Sequence, residues 1–179
     1  MAEKAMLTLE GRQRDESGEE TVTRLRTQAD CSVQNGSLYI LYEEKLPDSE
    51  AVVKNLIKLK GSVLEMAKRG PVSSRMVFEV GRSHRTEYVT PYGILPLEVR
   101  TQELEALTGE RKGWLIEPDA AVKAPKGILT EPDAAVQAPK SMLPEQGLAI
   151  RLSYRLTSEE QFLSHCTIII SLTPLHGTS

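Results

Sequence analysis

Apolar–polar alternation with a period of two, repeated between turn signals at hairpin spacing, constrains this chain more than any other feature. It is cleanest at Leu148, Ile150, Leu152, Tyr154 and Leu156, where Ala149, Arg151, Ser153 and Arg155 take the intervening positions. Successive side chains on a strand point to opposite faces, so such a run buries one face and wets the other. Leu95, Leu97 and Val99 alternate with Glu98 and Arg100, and Met76, Phe78 and Val80 with Glu79. Leu38, Ile40 and Tyr42 alternate with Tyr39, Leu41 and Glu43. Phe162–Leu172 becomes apolar on both parities toward its end, the pattern expected of a strand covered on two sides.

The turn signals fall between these runs. Asp15–Glu20 (DESGEE) separates a strand near Ala5–Arg14 from one near Thr21–Val33. Asn35-Gly36 suits a two-residue type I′ turn, which needs positive φ at both central residues. Gly61, Gly70-Pro71, Gly81, Pro91-Tyr92-Gly93 and Gly109 mark further corners. Many short strands at this spacing predict an all-β sandwich or barrel, and hairpins in unbroken succession favour an up-and-down antiparallel barrel over a Greek key.

Two segments depart from the alternation. In Asp48–Lys60, Val52, Val53, Leu56 and Ile57 recur at helical spacing behind a possible Ser49 N-cap. Read as a strand, Val53, Ile57 and Leu59 share a face that Asn55 interrupts, so the local pattern slightly favours a helix. Thr101–Leu107 also fits a helical turn.

Residues 117–144 differ in kind. EPDAAVKAPKGILT is followed directly by EPDAAVQAPKSMLP, two copies rich in Pro and Ala. Two short copies are too few to stack as a solenoid, and their prolines interrupt both helix and central strand. The expectation is a duplicated, linker-like surface loop inserted in one domain spanning 1–179, with a barrel core over 5–172 and a disordered tail at 173–179. A partner-docking role for the loop is the lesser reading.

The chain of 179 residues carries a formal charge of −3 and only 4% aromatics, which argues against a nucleic-acid binder. Lys54, Lys58, Lys60, Lys68, Arg69, Arg75, Arg82 and Arg85 face only Glu65 and Glu79 in the same stretch. That local surplus of positive charge would attract an anion or an acidic partner. A solvated outer face of several strands is the plainer reading.

Cys31 and Cys166 lie far apart in apolar surroundings, which suggests buried free thiols rather than a disulfide or a zinc site. MAEKAMLTLE lacks an apolar h-region and a cleavage pattern, and the apolar run Thr167–Leu172 is too short to span a bilayer. A reduced, cytoplasmic protein away from membranes is expected. No phosphate loop, dinucleotide fingerprint or metalloprotease motif occurs, so neither a cofactor nor a metal is expected. His84, His165 and His176 have no ligand spacing, and His165 and Cys166, as strand neighbours, point to opposite faces.

The densest polar stretch is Glu79–Tyr92, EVGRSHRTEYVTPY. One parity offers Arg82, His84, Thr86, Tyr88, Thr90 and Tyr92; the other offers Glu79, Arg85 and Glu87. Arg82, His84, Arg85, Thr86, Tyr88 and Tyr92 are therefore the candidate ligand-binding residues, suited to a small anionic or polar molecule. Against this stands a filled core with its hydroxyls bonded and its charges in water.

Met76–Thr101, MVFEVGRSHRTEYVTPYGILPLEVRT, resembles the YwiB-like family of uncharacterised bacterial β-barrel proteins, with TPYG at Thr90–Gly93 its most specific element. Gly36–Glu44, Lys54–Gly70, Gly147–Leu156 and Cys166–Leu172 are similar to further strands of that family in order. The resemblance implies a calycin-like up-and-down barrel of about eight to ten strands. It makes Val52–Lys60 a strand, and it supplies no catalytic residue, substrate or cofactor. A non-enzymatic barrel holding a small ligand is the leading functional expectation. An interaction module for protein or RNA using the basic 54–85 surface comes second. An enzyme pairing His84 with Glu79 or Glu87 across a bulge at Gly81 comes last.

Overall fold

The computed structural model describes residues 2–108 and 147–175. Ten strands follow one another: β1 (Glu3–Asp15), β2 (Glu20–Gln34), β3 (Ser37–Lys45), β4 (Val52–Lys60), β5 (Val63–Arg69), β6 (Ser74–Glu79), β7 (Ser83–Thr90), β8 (Gly93–Thr108), β9 (Leu148–Ser158) and β10 (Gln161–Pro174). Their order in the sheet is β6-β5-β4-β3-β2-β1-β10-β9-β8-β7, with every adjacent pair antiparallel. Every strand pairs with the next in sequence except β6 with β7, and β1 also pairs with β10, joining the two ends of the chain. The result is an up-and-down barrel whose seam falls between β6 and β7. There a single bridge, Ser73↔Val89, spans the gap, with Ser73 N donating to Val89 O at 2.9 Å and Val89 N to Ser73 O at 2.8 Å.

Alternation placed most of these strands because their inner parity fills the barrel. Ala5, Leu7, Cys31, Ile40, Ile57, Leu64, Phe78, Val99, Ala106, Ile150, Leu152 and Ile170 are fully buried in one cluster. Phe78 meets the Tyr154 ring at 4.8 Å between centroids, tilted by 54°. The middle of this barrel is therefore filled by side chains, as small barrels commonly are. Asn35 and Gly36 adopt φ of 51° and 76°, the paired positive values that close the β2–β3 hairpin between Gln34 and Ser37.

Val52–Lys60 is a strand. Helical spacing at Val52, Val53, Leu56 and Ile57 yields to pairing with both β3 and β5, which seats Val53, Asn55, Ile57 and Leu59 inside. Thr101–Leu107 is strand as well, not a helical turn. A bulge between Thr101 and Glu103 shifts the register, so Thr101 and Leu104 both point inward at 1% and 3% exposure. This change of parity within one strand produced the helical-looking spacing. Phe162–Leu172 is covered on one side, since Ile169 stands 40% exposed on the outer face. β10 continues through Thr173 and Pro174, opposite Met6 and Ala5, so the strand outlasts the expected core. The duplicated segment 117–144 and His176 lie outside the described residues.

The hairpins β1–β2, β3–β4, β5–β6, β7–β8 and β9–β10 all turn at one end, here termed the hairpin end. The opposite end carries the β2–β3, β4–β5 and β6–β7 turns, both chain ends, and the points where the chain leaves at Thr108 and returns at Gly147.

Candidate functional site: a polar mouth at the hairpin end

Toward the hairpin end the inner face changes from apolar to polar. Register aligns Tyr42 on β3 with Asn55 on β4, Asn55 with Lys68 on β5, and Lys68 with Ser74 on β6. All four lie on the same parity as the buried Ile40, Ile57, Leu64 and Phe78 of those strands, so the row lines the interior. Glu44, one inward position beyond Tyr42, meets Lys68, with Nζ 3.6 Å from Oε2. Their side chains are 33% and 35% exposed, placing the pair at the rim where interior meets solvent.

Tyr42 and Asn55 sit deeper, at 6% and 3% exposure. Asn55 Nδ2 donates to Val53 O at 3.3 Å, which fixes its amide. Tyr88 enters from β7, four strands around the barrel from Glu44. Burial, and secondarily the Glu44 carboxylate, hold the Tyr42 phenol well above its ordinary pKa. The same two causes, in the same order, raise Tyr88. One carboxylate thus acts on phenols from both sides of the mouth. An ammonium, a carboxylate, two neutral phenols and an amide converge over an apolar floor, an arrangement suited to orienting a small polar molecule.

The residues expected from sequence divide into three groups. His84, Thr86 and Tyr88 share the inward, half-buried parity of β7. Thr86 Oγ1 donates to Arg75 O at 2.5 Å across the β6–β7 seam, and His84 Nε2 is buried with no hydrogen-bond partner. Arg82 and Tyr92 occupy exposed turns at opposite ends of β7. Arg82 Nε lies 2.7 Å from Glu79 Oε1, and Tyr92 is 100% exposed. Arg85 points outward with its side chain 91% exposed, 3.8 Å from Glu98. The six do not form one constellation; only Tyr88 belongs to the polar mouth. Glu79 is committed to Arg82 and Glu87 is exposed on the other parity, so neither pairs with His84.

Tyr42, Glu44, Asn55 and Lys68 were missed as site residues. Asn55 carried a signal, as a lone amide on an otherwise apolar parity. Glu44 and Lys68 each continue an inward parity, but their strands alone do not reveal that they meet.

The remaining clusters lie outside the mouth. Of the basic stretch, Lys54, Lys58, Lys60, Arg69, Arg75 and Arg85 lie on the outer wall, where Lys58 sits 5.6 Å over the Tyr39 ring and Arg75 pairs with Glu65 at 3.2 Å. An open outer groove holds Arg12, Arg14, Arg151 and His165, each already engaged. Arg12 meets Glu10 at 3.0 Å, Arg14 meets Glu20 at 3.2 Å, Arg151 meets Glu103 at 3.9 Å and His165 contacts Gln102 at 2.5 Å. Cys31 and Cys166 are buried and free, and burial pushes the Cys31 thiol up to about 12. No group of metal-ligating side chains occurs among the described residues.

Fold and site together define, among the described residues, a ten-stranded up-and-down barrel with a filled centre and a polar mouth. A family model described as a domain of unknown function (DUF1934) matches residues 7–118, and the chain belongs to that family. The matched segment contains all of Tyr42, Glu44, Asn55, Lys68 and Tyr88. Among solved structures, the chain is similar to the ywiB protein from Bacillus subtilis, with a TM-score of 0.69 at 16% identity over 98% of this chain and 94% of that one. That likeness is one of fold. Among curated proteins, none matches.

Proposed function

We propose that this protein is a non-enzymatic barrel of a single domain that holds a small polar molecule in its hairpin-end mouth. The observation that carries the reading is the inward Glu44–Lys68 pair above a filled core, flanked by Tyr42, Asn55 and Tyr88. Charged side chains are rare on the inner face of a small barrel unless something there uses them. Calycin-like barrels hold ligands in their mouths, which supports the reading by analogy of fold. The two buried thiols suit a reducing cytoplasm. Outward Lys54, Arg75, Arg100, Arg151 and Arg155 interrupt any lipid-facing apolar band and support a role away from membranes.

The test is native mass spectrometry of the full chain purified gently from its own cells. A reproducible excess mass, lost on denaturation and absent from Lys68→Met, is expected. A clean apo mass together with unchanged spectra from the Lys68→Met protein counts against the mouth.

A second reading is favoured by the outward placement of Lys54, Lys58, Lys60, Arg69, Arg75 and Arg85. This wall would bind an acidic protein partner, and salt-dependent retention that vanishes when Arg75 and Arg85 are reversed to Glu would support it.

A further inference from the structure

The basic stretch suggested an anionic ligand, yet the loops around the mouth carry charge of the opposite sign. The hairpin-end loops are 16–19, 46–51, 70–73, 91–92 and 159–160. They carry Glu16, Glu19, Asp48, Glu50, Glu159 and Glu160 and no Lys or Arg, against two exposed cations, Lys45 and Arg69, on the adjoining ends of β3 and β5. At the opposite end, the turns 35–36, 61–62 and 80–82 hold no carboxylate and one arginine, Arg82. Like-signed groups around an opening concentrate counter-ions there. A free anion approaching this mouth is repelled by its loops and then by Glu44.

A plain amine passes the loops but meets Lys68, the only cation of the basic stretch that faces the interior. A molecule carrying both charges meets neither obstacle. We infer that the mouth takes a small zwitterion of the α-amino-acid type, its ammonium toward Glu44 between Tyr42 and Tyr88 and its carboxylate toward Lys68. This rests on the mouth being the binding site proposed above.

Three features support it. The Glu44–Lys68 separation of 3.6 Å exceeds a good charge-assisted hydrogen bond, so each group retains capacity for a further partner. Tyr42, two residues before Glu44 on the same inward parity, and Tyr88, beside the Ser73–Val89 bridge, put two aromatic side chains at the level of the pair, and aromatic rings near a carboxylate favour an ammonium. Asn55, fixed by its bond to Val53 O, presents an amide at the same level as Tyr42 and Lys68.

The experiment uses the 15N-labelled full chain at low salt and the twenty common α-amino acids as probes. Each binder is compared with its decarboxylated amine and its deaminated acid. The expected result is amide shifts at Tyr42, Glu44, Asn55, Lys68 and Tyr88, with amine and acid at least tenfold weaker than the parent. Glu44→Gln and Lys68→Met should each weaken the parent at least tenfold while the remaining spectrum stays folded, and Tyr88→Phe, which keeps the ring, should cost less. An amine or acid binding as well as its parent overturns the zwitterion and leaves the mouth a binding site. An excess mass in the native protein with no amino acid bound does the same. No excess mass and no mouth shifts with any probe overturn both.

Discussion

Glu44 and Lys68 meet at 3.6 Å across an intervening strand, one from β3 and one from β5, both on the face that the rest of the barrel fills with Leu, Ile and Phe. Each is about one-third exposed, so solvent screens the pair and its worth stays close to that of surface ion pairs, about 0.2–1 kcal/mol. In a double-mutant cycle by urea denaturation, Glu44→Gln and Lys68→Met are expected to show a coupling of about that size. A coupling above about 3 kcal/mol would mark a buried structural bridge instead and remove the pair from the ligand site.

Alkaline pH should weaken the barrel. Burial raises the Cys31 thiol from 9.0 to about 12 and also raises Cys166, Tyr42, Tyr88 and Tyr154. The unfolded chain releases these protons first, so it binds fewer than the fold does and stability falls as pH rises. The Cys31 contribution is complete below pH 9 and is lost progressively between about 9 and 12, and that of the tyrosines begins to be lost only above their ordinary value of 10.0. Chemical denaturation midpoints measured from pH 7 to 11 check the sign. A thiol reagent at pH 8 should find neither cysteine in the native protein and both in denaturant.

The barrel was legible because one-sided burial writes its period into each strand, and because Asn35-Gly36 and its counterparts punctuate at hairpin spacing. Closure was less so: no local pattern announces that Leu7 of the first strand lies opposite Leu172 of the last. The bulge at Gln102 was illegible for a related reason. Inserting one residue reverses parity, so Val99, Thr101, Leu104 and Ala106 mimic helical spacing while all face the core. At the site, the inward parity of His84, Thr86 and Tyr88 was readable, but Arg82 and Tyr92 left it because the strand ended beneath them. The Glu44–Lys68 meeting depends on two strands aligned by a third, information that no single segment holds.

Gly147, at the entry to β9, has φ of +87°, and a Cβ built there would come 2.4 Å from Leu172 O, a backbone atom that cannot rotate aside. Gly36, with φ of +76°, has no atom within 4 Å of its Cβ direction. Gly36→Ala should therefore cost only the left-handed penalty of about 1–2 kcal/mol. Gly147→Ala should cost more, about 2–4 kcal/mol, from that penalty plus displacement of β10. Urea midpoints of the two variants test the ranking. Equal losses would mean that the β9–β10 contact yields freely.

The seam between β6 and β7 should be the first part of the wall to open. Beyond the Ser73–Val89 bridge, no ladder joins these strands, and Thr86 Oγ1 reaching Arg75 O substitutes for one. Thr86→Val preserves shape and β-branching but deletes that donor. The expected loss is about 1 kcal/mol, the worth of one hydrogen bond plus the carbonyl left without it. Hydrogen exchange locates the effect: the amides of Ser73 and Val89, each donating to the other residue's carbonyl across the gap, should exchange several-fold faster in Thr86→Val. Those of Leu7 and Ile170 in the β1–β10 wall should not change. If both sets quickened together, the variant would have lowered global stability, and the seam would be no weaker than the rest of the barrel.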